Sequence, residues 1–209
     1  MPALEPGTPL PAQVDNLVAA HRIPLLSWPV SAEAAQRKAY WAQLARQIGQ
    51  VPGPVLLRPR LAAATPAGHR RRWRDMVRAF RTEGVVNVVW VWSPEAADTL
   101  LHKFPGAAYV DWIASPLVAR DGGPHFARLR EQLTQDINLH HLPVLLLVPT
   151  PRPNAAALVQ QLNRAYPEVK AVVFSPVGTA PLFTANPGSQ PATAAGLGGA
   201  VSLEESAVE

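Results

Sequence analysis

Six short apolar runs, separated by segments of helical character, constrain the fold of this chain more than any other feature. Most of them are apolar at successive positions and do not alternate with polar residues, which is typical of strands covered on both faces of a sheet. In chain order the runs are 23–28 (IPLLSW), 54–58 (PVLLR), 86–92 (VNVVWVW), 108–113 (AYVDWI), 143–148 (PVLLLV) and 169–174 (VKAVVF). Because strands alternate with helical segments, the sequence predicts an α/β fold with a parallel sheet and right-handed crossovers.

The segments between the runs carry helical patterns. Residues 31–48 have Ser31 as a candidate N-cap, and residues 66–82 place Trp73, Val77 and Phe80 on one stripe. Two further helices are predicted over 123–138 and 154–166, whereas the crossover after Trp92 is shorter and less regular. Six βα units exceed a minimal doubly wound domain and fall short of an eight-stranded barrel.

Composition limits the compartment and the partners. The 209 residues are 48% hydrophobic and 16% charged, which fits a folded globular body. The chain has no cysteine, so disulfides and thiolate chemistry are excluded, and no apolar run approaches the roughly 20 residues of a membrane span. The first 20 residues lack the pattern of a secretion signal, which predicts a cytoplasmic location by default. The net charge of +4 comes largely from residues 69–74 (HRRRWR), so no nucleic-acid partner is predicted.

The order of elements predicts three regions. Residues 1–21 form an N-terminal arm with a helix over 7–21, and residues 22–175 form the βα domain. Residues 176–209 are rich in Gly, Ala, Ser, Thr and Pro, so we expect them to be mostly disordered.

Four pieces of the chain resemble glycoside hydrolase family 26, the β-mannanase-like group. They are IPLLSW, then PVLLRP followed by a helix with WRDMVRAF, then NVVWVWSP, then PGAAYVDWI followed by PVLLLV and KAVVF. The resemblance spans roughly residues 22–175 and implies a (β/α)8 TIM-barrel-like fold of the retaining glycosidases. The chain would then supply strands three to eight of that barrel, so we expect a partial, N-terminally incomplete barrel of about six βα units.

The resemblance also implies where catalytic groups should lie. In the family, the strand that corresponds to PVLLRP ends in an Arg-Pro-x-His-Glu type motif, whose glutamate is the general acid/base. Arg58 and Pro59 match it, but the histidine falls on Leu61 and the glutamate on Ala62. The nucleophilic glutamate falls on about Val148, and the tyrosine expected after VDWI is absent from residues 114–117. No Asp or Glu occurs in 54–74 or 142–167, so a slip of the alignment does not restore either carboxylate.

The chemistry of glycosidases leads to the same conclusion without the family. Retaining enzymes need two carboxyl groups about 5–5.5 Å apart, and inverting enzymes about 6.5–9.5 Å. In a parallel barrel these groups lie at the C-terminal ends of strands. No pair of strand ends here delivers two facing carboxylates, which predicts a pseudoenzyme without useful glycosidase turnover.

The predicted carbohydrate-binding residues are Trp92, Arg58, Trp90, Trp28 and Asp111. Trp90 and Trp92 point to the same side of their strand, where they stack on a pyranose or fill the layer under the helices. Arg58 either hydrogen-bonds a ligand's hydroxyls or carboxylate, or forms a structural ion pair with Asp111. For Trp28 and Asp111 two roles are likewise open: contact with a ligand, or packing inside the protein.

Three functions follow. The first is a non-catalytic carbohydrate-binding or scaffolding protein in polysaccharide metabolism, with an oligo- or polysaccharide as ligand and a partner protein of the same pathway. The second is an active endo-β-mannanase-like hydrolase with relocated carboxylates from Glu95, Asp111 or Asp121. The third is a structural or interaction domain without a ligand. No metal is predicted, since the His140-His141 pair lacks a third ligand at a suitable spacing, and no cofactor is predicted.

Overall fold

A sheet of eight strands organises the part of the chain that the structure, a computed structural model, describes: residues 7–62, 65–94, 100–116, 123–136, 139–149, 155–175, 183–185 and 200–202. The strands are β1 Ile23–Val30, β2 Val55–Leu61, β3 Val88–Trp92, β4 Trp112–Pro116, β5 Val144–Pro149, β6 Val169–Ser175, β7 Phe183–Ala185 and β8 Ala200–Ser202. Each of the first six overlaps one of the apolar runs.

Strand order confirms the predicted fold class. The order across the sheet is β7-β1-β2-β3-β4-β5-β6-β8, and the six central strands are parallel to their neighbours. Strands adjacent in sequence are therefore adjacent in space, as in a (β/α) barrel, and the order does not reverse as in a doubly wound sheet. The six parallel strands form a curled half-barrel, a partial (β/α)8 TIM-barrel-like architecture.

The two outer strands run antiparallel to their neighbours. Strand β7 pairs with β1, and β8 pairs with β6. Both lie within residues 176–209, which the sequence predicted to be mostly disordered, and the three-region division stays a prediction.

The described helices are α1 Ala12–Ala19, α2 Lys38–Gly49, α3 Pro66–Thr82, α4 Leu100–Lys103, α5 Gly123–Gln135 and α6 Ala155–Ala165. Helix α2 begins later than predicted, since a short 3-10 helix, Ala34–Gln36, precedes it, and the Ser31 hydroxyl accepts a hydrogen bond from the Ala34 backbone N–H at 3.0 Å. Helix α3 follows its prediction, and its N-cap Thr65 accepts from the backbone N–H of Gly68 at 3.1 Å. Of the helices described, none has the length and apolar character needed to cross a membrane.

The two faces of the sheet pack against different partners. Alternate residues of each strand face the helices and form one large buried cluster, the helix-facing layer, which includes Leu26, Leu57, Ile113, Leu146 and Phe174. The intervening residues form a second cluster, the concave face, which includes Leu25, Leu56, Val91, Ala114, Leu145, Ala171 and Val173. In a barrel the concave face is the interior, which opens at the C-terminal ends of the strands.

The arginine-rich helix α3 is fastened to the segment before β4. The Nε of Arg74 donates to the Pro105 carbonyl oxygen at 2.7 Å, and a guanidinium nitrogen of Arg81 donates to the Ala108 carbonyl oxygen at 2.7 Å. Both guanidinium carbons also lie 5.5 Å from the ring centre of Tyr109, within the range of a cation–π contact. Part of the positive charge of this helix therefore serves internal packing.

Candidate functional site

The C-terminal halves of the first three strands bring Ser27, Arg58 and Ser93 together. Strand pairing sets Ser27 of β1 opposite Arg58 of β2, and Ser93 follows the last residue of β3. The guanidinium of Arg58 donates to the hydroxyl oxygens of Ser27 and Ser93, each at 3.3 Å. A single side chain thus spans three neighbouring strands, on the face that forms a barrel interior.

The charge of Arg58 is poorly compensated. Its Nε is buried and has no hydrogen-bond partner among the residues that the structure describes. Burial, and to a smaller extent the positive charge of Arg60, lowers the pKa of Arg58 from its ordinary value to about 10. Within the described ranges no carboxylate forms an ion pair with Arg58, so the ion pair with Asp111 that the sequence offered as an alternative does not form.

A second cation stands on the same face. Arg60 lies two residues after Arg58 in β2, so the two side chains emerge on the same side of the sheet, and Arg60 is exposed. The eight described strands contain neither Asp nor Glu. The concave face of the described sheet is therefore positive at β2 and carries no strand carboxylate to offset it.

The three predicted stacking tryptophans lie on the other face. Trp28, Trp92 and Trp90 are 0%, 1% and 6% exposed, and all belong to the helix-facing layer. The indole N–H of Trp28 donates to the Tyr40 hydroxyl, and that of Trp92 to Nε2 of His69, each at 3.2 Å.

Trp90 packs edge-on against a phenylalanine of α3, with ring centres 5.0 Å apart. Strand alternation turns these three side chains toward α2 and α3, where they pack in the helix-facing layer. Their contact with a sugar stays a prediction.

Asp111 lies at the opposite edge from the strand C-termini. It precedes β4, because residues Ala107–Tyr109 form a 3-10 helix where the sequence predicted strand. Its carboxylate accepts a hydrogen bond from the Trp90 backbone N–H at 2.7 Å, and its own N–H donates to the Trp90 carbonyl oxygen at 2.9 Å. Asp111 thus joins β3 to the start of β4, away from the C-terminal edge at which barrels bind their ligands, and its role in ligand binding stays a prediction.

The two positions at which the sequence predicts the family's catalytic glutamates to fall, Ala62 and about Val148, differ in placement. Ala62 directly follows β2, is exposed, and donates its backbone N–H to the Val30 carbonyl oxygen at 3.0 Å. Val148 is fully buried in the helix-facing layer, so the position that faces the interior in β5 is its neighbour Leu147, which packs with the concave cluster. Neither Leu147 nor Val148 is acidic.

Acidic side chains at the catalytic edge are scarce in the described segments. In the described part of the chain, one acidic residue lies between the C-terminal end of a strand and the helix that follows. It is Glu33, between β1 and α2, and it is exposed. Glu95 and Asp121, which the sequence offered as relocated carboxylates, lie outside the described residues.

Sequence reasoning missed Ser27 and Ser93 as partners of Arg58, and Trp112 as an aromatic residue on the concave face. Ser27 and Ser93 are small polar residues near the ends of apolar runs, which is a weak signal, and only the strand register shows that both reach the same guanidinium. Trp112 is half-buried and packs against the concave cluster, but it begins β4 and so lies toward the N-terminal edge.

A cleft of about 460 Å³ lies at the N-terminal edge of β5 and β6. It contains His140, His141 and Lys170, together with the ion pair between Arg130 Nε and Glu168 Oε1 at 2.5 Å. No group of three His, Asp or Glu side chains in the residues described is arranged to hold a metal ion. The cleft is on the face that in barrels serves stability rather than chemistry.

Comparisons with known proteins agree with this architecture. A family model described as "Glycosyl hydrolase family 26" matches residues 12–121, which is more than half of the chain. A solved structure of a Cellulomonas fimi endo-β-1,4-mannanase double mutant is similar with a TM-score of 0.51 at 16% identity, over 66% of this chain and 42% of that one.

A GH26 β-mannanase from Bacteroides ovatus has a TM-score of 0.47 at 16% identity, over 66% of this chain and 54% of that one. The chain thus spans about half or less of the length of the two mannanases. A comparison with curated protein sequences gave no match.

Proposed function

Because the chain belongs to glycosyl hydrolase family 26, we propose that its barrel-like domain binds an oligo- or polysaccharide without cleaving it, as a carbohydrate-binding or scaffolding component of polysaccharide metabolism. The observation that carries the proposal is the concave face itself. At β2 it presents Arg58 and Arg60, and no described strand contributes an acidic residue.

The chemistry of bond cleavage supports the non-catalytic part. A retaining glycosidase needs one protonated carboxyl group and one ionised carboxylate about 5–5.5 Å apart across the sugar. Alanine at residue 62 and aliphatic side chains at residues 147 and 148 supply neither a proton nor a nucleophile. A lone Glu33 at the edge does not make a pair.

Hydrogen-bond donors on the concave face support the binding part. Arg58 and the hydroxyls of Ser27 and Ser93 lie together near the C-terminal ends of their strands, where barrels of this class bind their ligands. The two hydrogen bonds within this group are long, at 3.3 Å, so a ligand hydroxyl competes with them at little cost. The family of glycosyl hydrolases makes a saccharide the natural ligand class.

The test has two arms on one preparation of the protein. A reducing-end assay on β-1,4-mannan is expected to show no release above a protein-free blank. Calorimetric titration with a panel of neutral and acidic oligosaccharides is expected to give saturable binding to at least one member. Arg58→Gln should weaken that binding, whereas Arg71→Gln, an exposed arginine of α3 with the same loss of charge, should leave it unchanged.

Either arm can reject the proposal. Release of reducing ends that disappears in Glu95→Gln or Asp121→Asn would establish an active hydrolase with relocated carboxylates. A flat titration with every oligosaccharide of the panel would instead favour a structural domain without a carbohydrate ligand.

A further inference from the structure

Arg58 is a half-buried cation that lacks a described counter-ion, and its Nε is fully buried. Charged side chains are almost never buried unless they are paired, because removing a charge from water is expensive. The contacts of this guanidinium are two neutral serine hydroxyls at 3.3 Å, and its Nε donor is buried and unpartnered. Neutral hydroxyls satisfy donors but do not neutralise charge, so the site has an unmet requirement for negative charge.

Arg60 increases that requirement. It stands on the same face of β2 and opposes the charge of Arg58 by like-charge repulsion. Two other arginines of the chain are neutralised by carboxylates: Arg46 pairs with Glu83 at 2.8 Å, and Arg130 pairs with Glu168 at 2.5 Å.

We propose that Arg58 and Arg60 bind the carboxylate of an acidic saccharide, such as a uronic acid residue, at the C-terminal end of β2. The inference rests on the proposed carbohydrate-binding function and specifies the class of sugar. A carboxylate on the ligand supplies at this edge the negative charge that the strands themselves do not carry.

The planar guanidinium suits a carboxylate in particular. Arginine donates from a rigid fork that matches the two carboxylate oxygens, and charge-assisted hydrogen bonds are shorter and stronger than neutral ones. The donor groups described here are side chains on strands. The two terminal guanidinium nitrogens of Arg58, now shared with Ser27 and Ser93, and the exposed guanidinium of Arg60 provide the donors.

A matched pair of ligands tests the inference. Tetramers of β-1,4-linked mannuronate and of β-1,4-linked mannose share a backbone and differ in the carboxylate at carbon 6. In calorimetric titrations of the full chain, the mannuronate tetramer is expected to bind about tenfold more tightly or better. Arg58→Gln should remove most of that preference, Arg58→Lys should retain part of it, and Arg71→Gln should leave it intact.

Each remaining outcome has one meaning. Equal affinity for the two tetramers would overturn the inference while leaving carbohydrate binding in place, whereas binding of neither would remove the proposed function as well. Equal losses in Arg58→Gln and Arg71→Gln, or competition by inorganic phosphate as strong as by the mannuronate tetramer, would show a nonspecific anion effect and also overturn it. If Arg58→Gln does not fold, the exposed Arg60→Gln takes its place, and an unchanged preference in that variant counts against the inference.

Discussion

Replacing Arg58 by methionine is expected to stabilise the free protein. The pKa of Arg58 is lowered by between two and three units, to about 10, chiefly by burial and then by the charge of Arg60. At 1.36 kcal/mol for each unit, the folded state disfavours the charged guanidinium by about 3 kcal/mol. The change also removes two long hydrogen bonds to Ser27 and Ser93, each worth about 1 kcal/mol. The free energy of unfolding should therefore rise by about 1 kcal/mol.

Urea unfolding near neutral pH measures this gain. With a slope of about 2 kcal/mol per molar urea, the midpoint of Arg58→Met should lie roughly 0.5 M above that of the wild type. The control is Arg71→Met, an exposed arginine of α3 whose replacement should change stability by no more than about 0.5 kcal/mol.

The same argument fixes the pH dependence. Because the pKa of Arg58 in the folded state, about 10, lies below its ordinary value in the unfolded chain, the unfolded chain holds this proton more tightly, and the penalty is fully present below about pH 10. The penalty declines as the pH rises from the pKa of Arg58 in the folded state toward its pKa in the unfolded state. The advantage of Arg58→Met over the wild type should therefore be constant from about pH 6 to about pH 9 and shrink above about pH 10.

A loss of stability would refute this reasoning. If Arg58→Met lowers the free energy of unfolding by more than about 1 kcal/mol, the guanidinium supports the sheet more than its burial costs, and the argument for a missing counter-ion falls with it. An advantage that grows above about pH 10 would contradict the sign of the pKa shift.

Two further changes separate packing from binding. Trp92→Phe removes the indole N–H that donates to His69, so urea unfolding should show a fall of about 1–2 kcal/mol in the free energy of unfolding. Oligosaccharide affinity should stay within about twofold because the indole is 1% exposed. A larger fall in affinity would place Trp92 in the ligand site. Asn87→Asp removes an amide donor that contacts three backbone carbonyl oxygens at 2.8 and 3.2 Å between α2 and β2, so the unfolding midpoint should fall by an amount equal to about 2–3 kcal/mol, and an unchanged midpoint would contradict that role.

The sequence predicted which elements form better than which way their side chains face. Continuous apolar runs identify strands covered on both faces, and each of the six runs overlaps a parallel strand. The same continuity hides orientation, because a run without polar alternation does not show which face meets the helices. Trp90 and Trp92 were correctly placed on one side of their strand, but only the packing against α3 shows that this side is the helix-facing layer.

The candidate site was harder to predict because it depends on pairing between distant segments. Ser27 and Arg58 are 31 residues apart, and Arg58 and Ser93 are 35 residues apart, so their meeting follows from strand register and not from local pattern. The position of Asp111 was mispredicted for a local reason. Its run continued the apolar pattern of a strand, but a 3-10 turn delays β4 by several residues and leaves the carboxylate at the N-terminal edge.

Stability and affinity are coupled through one guanidinium in this half-barrel. A penalty of about 3 kcal/mol is a large fraction of the 5–15 kcal/mol that typically holds a domain together. A ligand carboxylate that pairs with Arg58 would raise its pKa back toward the ordinary value, so relief of the penalty would appear as binding free energy. A neutral sugar gains nothing from this source, since hydroxyl groups replace the serine contacts without neutralising charge. The stabilisation that Arg58→Met gives the free protein and the affinity that it removes for an acidic ligand therefore have one physical origin.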